Sequence, residues 1–198
     1  MRSQKSLSNV SGIVLKNLMS TFSDANETEL KHGCAWYRVA NDACQTIADK
    51  HSMPLRTVAG IVAALSPGLE WTRNLAQAEA FISANGEGVY GVYGRKNTIK
   101  AQRILAGENP DGVLSGPKVR AFFACIMDPR TDAVVIDSHA WCAGINRTHG
   151  RWSNVRVTDT RYRWMARHYA RAAKRVSVSP ASFQAVVWIT WKRRMEVK

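Results

Sequence analysis

Apolar residues recur every three or four positions along nearly all of the 198-residue chain, and strictly alternating stretches are almost absent. That period places apolar side chains on one face of a helix, whereas a half-buried strand needs a period of two. The spacing predicts helices over 8–22 (Ile13, Val14, Leu18, with Gly12 weakening the start), 35–51 (Val39, Ala43, Ile47) and 55–65. Further helices are expected over 72–84 (Ala76, Ala80, Phe81), 97–105 and 118–127. Ser66-Pro67-Gly68 breaks the pattern, the four glycines of 85–94 mark a loop, and 107–116 is turn-rich. Asp137 reads as the cap of a helix reaching about Asn146, and Thr158-Asp159 as the cap of another reaching Arg175. That second helix sets Tyr162, Met165, Ala166, Tyr169 and Ala173 opposite Arg163, Arg167, Arg171 and Lys174. Ser179-Pro180 opens a last helix over 181–193, and Val134–Ile136 is the one short stretch that reads as extended. The expected fold class is all-α, without internal repeat or interdomain linker.

Composition narrows the class. A 45% hydrophobic content is ordinary for a globular chain and excludes general disorder. The longest apolar runs, Gly60–Leu65, Ala133–Ile136 and Ala185–Ile189, fall far short of the roughly 18–20 residues of a membrane span. No apolar signal segment follows Arg2 and Lys5, so a cytoplasmic protein with no membrane partner is expected. The charge is the informative quantity. Net charge is +13, and 13 of the 28 basic residues, but only 2 of the 15 acidic ones, lie in 147–198. Such an asymmetry suits a polyanion, with nucleic acid first, an anionic membrane surface second and a plain solubilising face as the bland alternative.

Cys34, Cys44, Cys125 and Cys142 form no CxxC pair and no zinc-like pattern with the five histidines. Their apolar neighbours predict buried thiols, and neither metal nor other cofactor is expected.

Chemistry concentrates in two segments. Leu114-Ser115-Gly116-Pro117-Lys118-Val119 sets a glycine turn and a lysine at a helix start; Asp137-Ser138-His139-Ala140-Trp141 follows 19 residues after Lys118. A lysine amine kept neutral is a nucleophile, and a carboxylate beside it can stabilise positive charge developing on a sugar. The same residues also read as a surface lysine and a plain capping aspartate.

These two segments resemble the helix–hairpin–helix DNA glycosylase superfamily, with the pattern of its bifunctional 8-oxoguanine glycosylase/lyase branch. There a glycine hairpin precedes a catalytic lysine, followed by a hydrophobic segment and an Asp-X-His signature. Leu65-Ser66-Pro67 to Asn74 is similar to the segment near that family's intercalation loop, and Lys100–Leu105 to its Lys-Ala helix. Gln184–Trp188 resembles its base-reading helix, so about two-thirds of the chain follows the family's order.

The resemblance implies a two-lobed helical fold with a central cleft, spanning 1–198 as one unit with a hairpin at about 114–118. It implies that Lys118 attacks the anomeric carbon and forms a Schiff base while Asp137 stabilises the oxocarbenium-like transition state. Phe122 and Trp188 would sandwich a flipped base, and Gln184 would read its edge. His139 and Gly116 would contact phosphate, and Asn74, Arg73 or Trp71 would fill the vacated stack. On residues alone, Phe122 and Trp188 read equally as core aromatics, Gln184 as a partner for a buried backbone group, and His139 as a partner for a carboxylate or helix end.

The hairpin departs from the family's Leu-Pro-Gly-hydrophobic-Gly-X-Lys. It is two residues shorter and carries Pro117, which has no amide to donate. The iron–sulfur cysteines of the endonuclease III branch are also missing. The expected function is a cofactor-free, monomeric DNA N-glycosylase with lyase activity, acting on duplex or single-stranded DNA. Two alternatives stand beside it: a phage-type enzyme modifying a base or nucleotide on the same scaffold, in a host cytoplasm, or an inactive DNA-binding module.

Overall fold

The computed structural model describes the backbone of residues 2–147 and 157–196, with side chains from Val10 onward. Ten α-helices and no strand occur among the described residues. They are α1 (Arg2–Ser23), α2 (Glu27–Lys50), α3 (Leu55–Leu65), α4 (Trp71–Ser83), α5 (Arg95–Leu105), α6 (Pro110–Val113), α7 (Pro117–Met127), α8 (Ser138–Ile145), α9 (Asp159–Arg175) and α10 (Pro180–Glu196). The predicted helix starting at 35 is the second half of the longer α2, and the turn-rich 107–116 segment contains the one-turn α6. Much of the basic loop over 147–157 lies outside the described residues.

The chain divides into two compact units. The first takes Met1–Trp36 together with Arg130–Lys198, and the second takes Tyr37–Pro129. One boundary falls inside α2, which is why no linker composition marks it in the sequence.

In the second unit α3 is the core element. Val58 to Leu65 are all buried, and α4, α5, α6 and α7 pack on this helix. Gly60 allows α6 to approach: a Cβ there would lie 2.8 Å from Pro110 Cγ. The packed face of α4 is Asn74, Ala78, Phe81 and Ile82, not the predicted Ala76 and Ala80. These positions keep a helical period, but the polar Asn74 at its head hides the register. Val39 is likewise 53% exposed, because α2 turns Tyr37, Ala40, Cys44, Ile47 and Ala48 inward. In α1 the buried apolar residues are Val14, Leu15 and Leu18, with Ile13 facing solvent.

In the first unit α1, α8, α9 and α10 pack against one another. Phe183 of α10 stacks on Phe22 at 4.7 Å and meets Tyr169 edge-on at 6.1 Å. Gly33 lets α2 lie against α10, since a Cβ there would be 2.6 Å from Val186 Cα. The start of α2 is a reciprocal cap: Glu29 N–H donates to Asn26 Oδ1 and Asn26 N–H to Glu29 Oε2. Arg193 Nε then donates to Glu29 Oε1 at 2.6 Å, and Arg194 Nε to Asp24 at 2.8 Å, tying the end of α10 to this corner.

Burial pushes the Glu29 carboxyl up, but hydrogen bonds from Arg193 and the Asn26 amide outweigh it and hold the group below its ordinary value. A depressed folded-state value means stability that is present above the unfolded carboxylate range and lost as pH falls through the folded value. Arg193 is partly exposed, so its share is discounted for solvent screening. Glu29→Gln is expected to lower unfolding free energy at pH 7 by about 1–2 kcal/mol. In denaturant titrations its deficit relative to wild type should shrink below about pH 4; a deficit constant from pH 7 to pH 3 would contradict the linkage.

Candidate catalytic and nucleic-acid-binding residues

Val134, Val135 and Ile136 are buried in a stretch outside any helix or strand, so no regular ladder takes their backbone groups. A buried main-chain polar group needs a partner. Tyr162 of α9 supplies it: its hydroxyl donates to Val134 O at 2.6 Å and accepts from Ile136 N–H at 3.2 Å. Seven residues on, the fully buried Tyr169 hydroxyl donates to Ala140 O at 2.8 Å. Burial, then the nearby Asp137, pushes this hydroxyl well above its ordinary value, so it remains a donor.

Asp137 lies between these two anchors. Its backbone is extended (φ −93°, ψ −173°), and it caps α8 by accepting from Ala140 N–H at 2.7 Å through Oδ1. Its other oxygen accepts from the Trp188 indole N–H at 3.0 Å. Both carboxylate oxygens are therefore oriented. The Trp188 ring is itself surrounded, by Trp36 at 5.6 Å, the His139 ring edge-on at 6.1 Å and the Lys192 ammonium 4.6 Å from its centroid. The resemblance implies that Trp188 would stack on a flipped base; in the structure its indole N–H is spent on aiming Asp137. Gln184 lies one turn earlier on α10 and is buried.

The second unit holds the 114–118 segment. Leu114 is buried, Ser115 is exposed and accepts from Lys100 Nζ at 2.6 Å, and Arg120 Nε donates to Leu114 O at 2.8 Å. Gly116 caps α7 with φ +83°, a left-handed backbone that a Cβ would strain. Pro117 follows at the first helical position, where its fixed φ suits the helix, and Lys118 projects from the first turn as an exposed side chain. Phe122, one turn on, is half-buried and meets Trp71 edge-on at 6.2 Å. Arg73 is exposed at the start of α4, which Glu70 caps. Asn74 is 1% exposed, and its Oδ1 is buried with no partner. A side chain so enclosed presents no surface from which to fill a base stack.

The first unit thus brings Asp137, His139 and Trp188 together, with Gln184 on the same helix as Trp188. The second places Gly116, Lys118 and Phe122 on the hairpin and α7. Lys118 and Asp137 belong to different units, as do Phe122 and Trp188. Sequence reasoning missed Trp36, Lys192 and the two tyrosine hydroxyls. Tyr162 and Tyr169 were visible as an apolar helix face, but which carbonyl each hydroxyl meets is a tertiary fact.

Cys44, Cys125 and Cys142 are buried as expected; Cys34 is exposed, on the solvent side of α2. Burial pushes the thiols of Cys44 and Cys125 up to about 12, which makes them poor nucleophiles. Among the described residues no three His, Cys, Asp or Glu side chains gather as a metal site, and no helix is long and apolar enough to cross a membrane.

A protein-family model described as a family of unknown function, DUF7178, matches residues 1–195. Neither the curated proteins nor the solved structures contain a match to the chain.

The double engagement of Asp137 separates its structural from its chemical role. Asp137→Ala removes the cap and orphans the indole N–H, with an expected loss of about 1–2 kcal/mol in unfolding free energy. Asp137→Asn keeps a capping oxygen and should lose less than half of that. Chemical denaturation of both variants checks this, and equal losses would show that the cap is not the main contribution.

Proposed function

We propose that this chain, which belongs to the DUF7178 family, acts on DNA at a sugar–base bond as an N-glycosylase with associated lyase activity. The proposal includes the two-lobed helix–hairpin–helix glycosylase architecture, a monomeric state and a cytoplasmic setting. Its architectural support is that the helices partition into two compact units, one of them built from two separated stretches of chain.

The observation that carries the proposal is the oriented Asp137 carboxylate. A helix N-cap alone occupies one oxygen, and here a second donor, the Trp188 indole, fixes the other. Preorganised negative charge of this kind stabilises a developing oxocarbenium ion without reorganisation during the reaction. Lys118 supplies the nucleophile. Its amine forms a bond to C1′, the N-glycosidic bond breaks, and the base departs with the electron pair and takes up a proton. Opening of the deoxyribose ring gives an imine, and loss of a proton from C2′ expels the 3′ phosphate by β-elimination. Phe122 offers a ring to a flipped base, Gln184 an amide for its edge, His139 and the Gly116 turn contacts to phosphate, and Arg73 or Trp71 a side chain to fill the vacated stack.

A second reading is favoured by Pro117, which removes an amide from the hairpin. A chain with a reduced duplex grip suits an enzyme that modifies a base or nucleotide on the same scaffold.

Borohydride trapping on single- and double-stranded oligonucleotides carrying a panel of modified bases tests the proposal. A covalent adduct is expected with wild type and is lost in Lys118→Gln. Asp137→Asn should slow base release by about 100-fold or more. Base release without adduct or strand scission, or a new base adduct, would favour the second reading. Absence of any turnover in wild type and both variants, with DNA binding intact, would leave a binding module.

A further inference from the structure

Lys50, Arg56, Arg103, Arg193 and Arg194 each form an ion pair with an acidic side chain, among them Arg56 with Asp111 and Arg103 with Glu108. The α9 cations do not. Arg163, Arg167, Arg171 and Lys174 are all exposed, and none pairs with a described Asp or Glu. Arg163 Nε donates at 3.4 Å to the Asp159 main-chain carbonyl, not to a carboxylate.

Arg163, Arg167 and Arg171 recur every four residues, and Lys174 follows three later, so the four project from one face over about 17 Å of helix at 1.5 Å per residue. Like charges at this spacing destabilise a helix. Packing of the opposite face holds α9 in place despite them: Tyr162, Met165, His168, Tyr169, Ala172 and Ala173 are buried. Such a row of positive charge, fixed on a helix that cannot turn away, complements a regular row of negative charge.

We infer that the exposed face of α9, through Arg163, Arg167, Arg171 and Lys174, is a docking surface for the phosphodiester backbone of a nucleic acid strand, independent of base sequence. Two features favour this partner over an anionic bilayer. The exposed positions of α9 carry no apolar side chain to enter a lipid interface. Three of the four cations are arginines, whose planar guanidinium matches phosphate oxygens two at a time. The inference rests on the nucleic-acid reading of the proposed function and assigns the grip to a surface apart from the hairpin.

The test is fluorescence anisotropy of an oligonucleotide duplex bound by the full chain, titrated with salt. Each phosphate contact contributes about 0.9 to the slope of log K against log salt. Replacing all four cations by Gln should make the slope shallower by about 3–4. The affinity lost between about 50 and 200 mM salt should shrink on the order of 100-fold. Arg167→Gln and Arg171→Gln alone should each remove about 1, a readout that survives if the quadruple variant folds poorly. Lys50→Gln combined with Arg56→Gln and Arg103→Gln removes three ion-paired cations and should leave the slope unchanged. An equal change in that comparator, or no change in the α9 variants, overturns the inference. So does tighter binding to vesicles rich in anionic lipid than to the duplex. The proposed chemistry is read separately, because an α9 variant at saturating DNA still gives the borohydride adduct if Lys118 acts as proposed.

Discussion

A buried segment that joins neither helix nor sheet must find hydrogen bonds elsewhere, and the way Val134 to Ile136 meets that demand organises the first unit. The Tyr162 hydroxyl takes one carbonyl and one amide of the segment, and Tyr169 takes the carbonyl of Ala140 just beyond it. An unsatisfied buried group costs about 1–3 kcal/mol, so these two phenols fix the path of the chain on both sides of Asp137. The aspartate then closes the start of α8 and receives the Trp188 indole. The geometry of the candidate carboxylate is thus set by α9 and α10, two helices that follow it in sequence.

One helix carries two duties in consequence. The inward face of α9 holds the tyrosines that place Asp137, and the outward face holds the uncompensated cations. A helix rotates about 100° per residue, so residues 162, 165 and 169 and residues 163, 167 and 171 occupy different faces without interfering. Rotating α9 about its axis would pull both hydroxyls off their carbonyls. Charge presentation and carboxylate placement are mechanically linked.

Much of the architecture was legible because helix signals are local. Thr158 before α9 and Asp137 before α8 both mark real helix starts, and α3 spans the predicted residues. Faces were read less well than boundaries. Asn74 leads the buried face of α4, and Val39 stands outside that of α2, because a polar residue in a core, or an apolar one in solvent, is decided by what packs on the helix. Of the candidate site, the cap at Asp137 and the turn at Gly116 were legible from short-range rules of backbone geometry. The link from Trp188 to Asp137 joins residues 51 apart and follows from no local rule.

The first unit draws on two stretches of chain separated by the whole of the second unit. When α1 leaves the ribosome, its partners α8, α9 and α10 do not yet exist, and it must wait through the synthesis of the entire second unit. The second unit, contiguous from 37 to 129, has all its own residues available much earlier. Vectorial synthesis therefore leaves the apolar stripe of α1, Val14, Leu15 and Leu18, exposed until those partners emerge. A stop codon placed before α10 would deprive α1 of Phe183, the ring on which its Phe22 stacks, and leave that stripe open to chaperones and proteases.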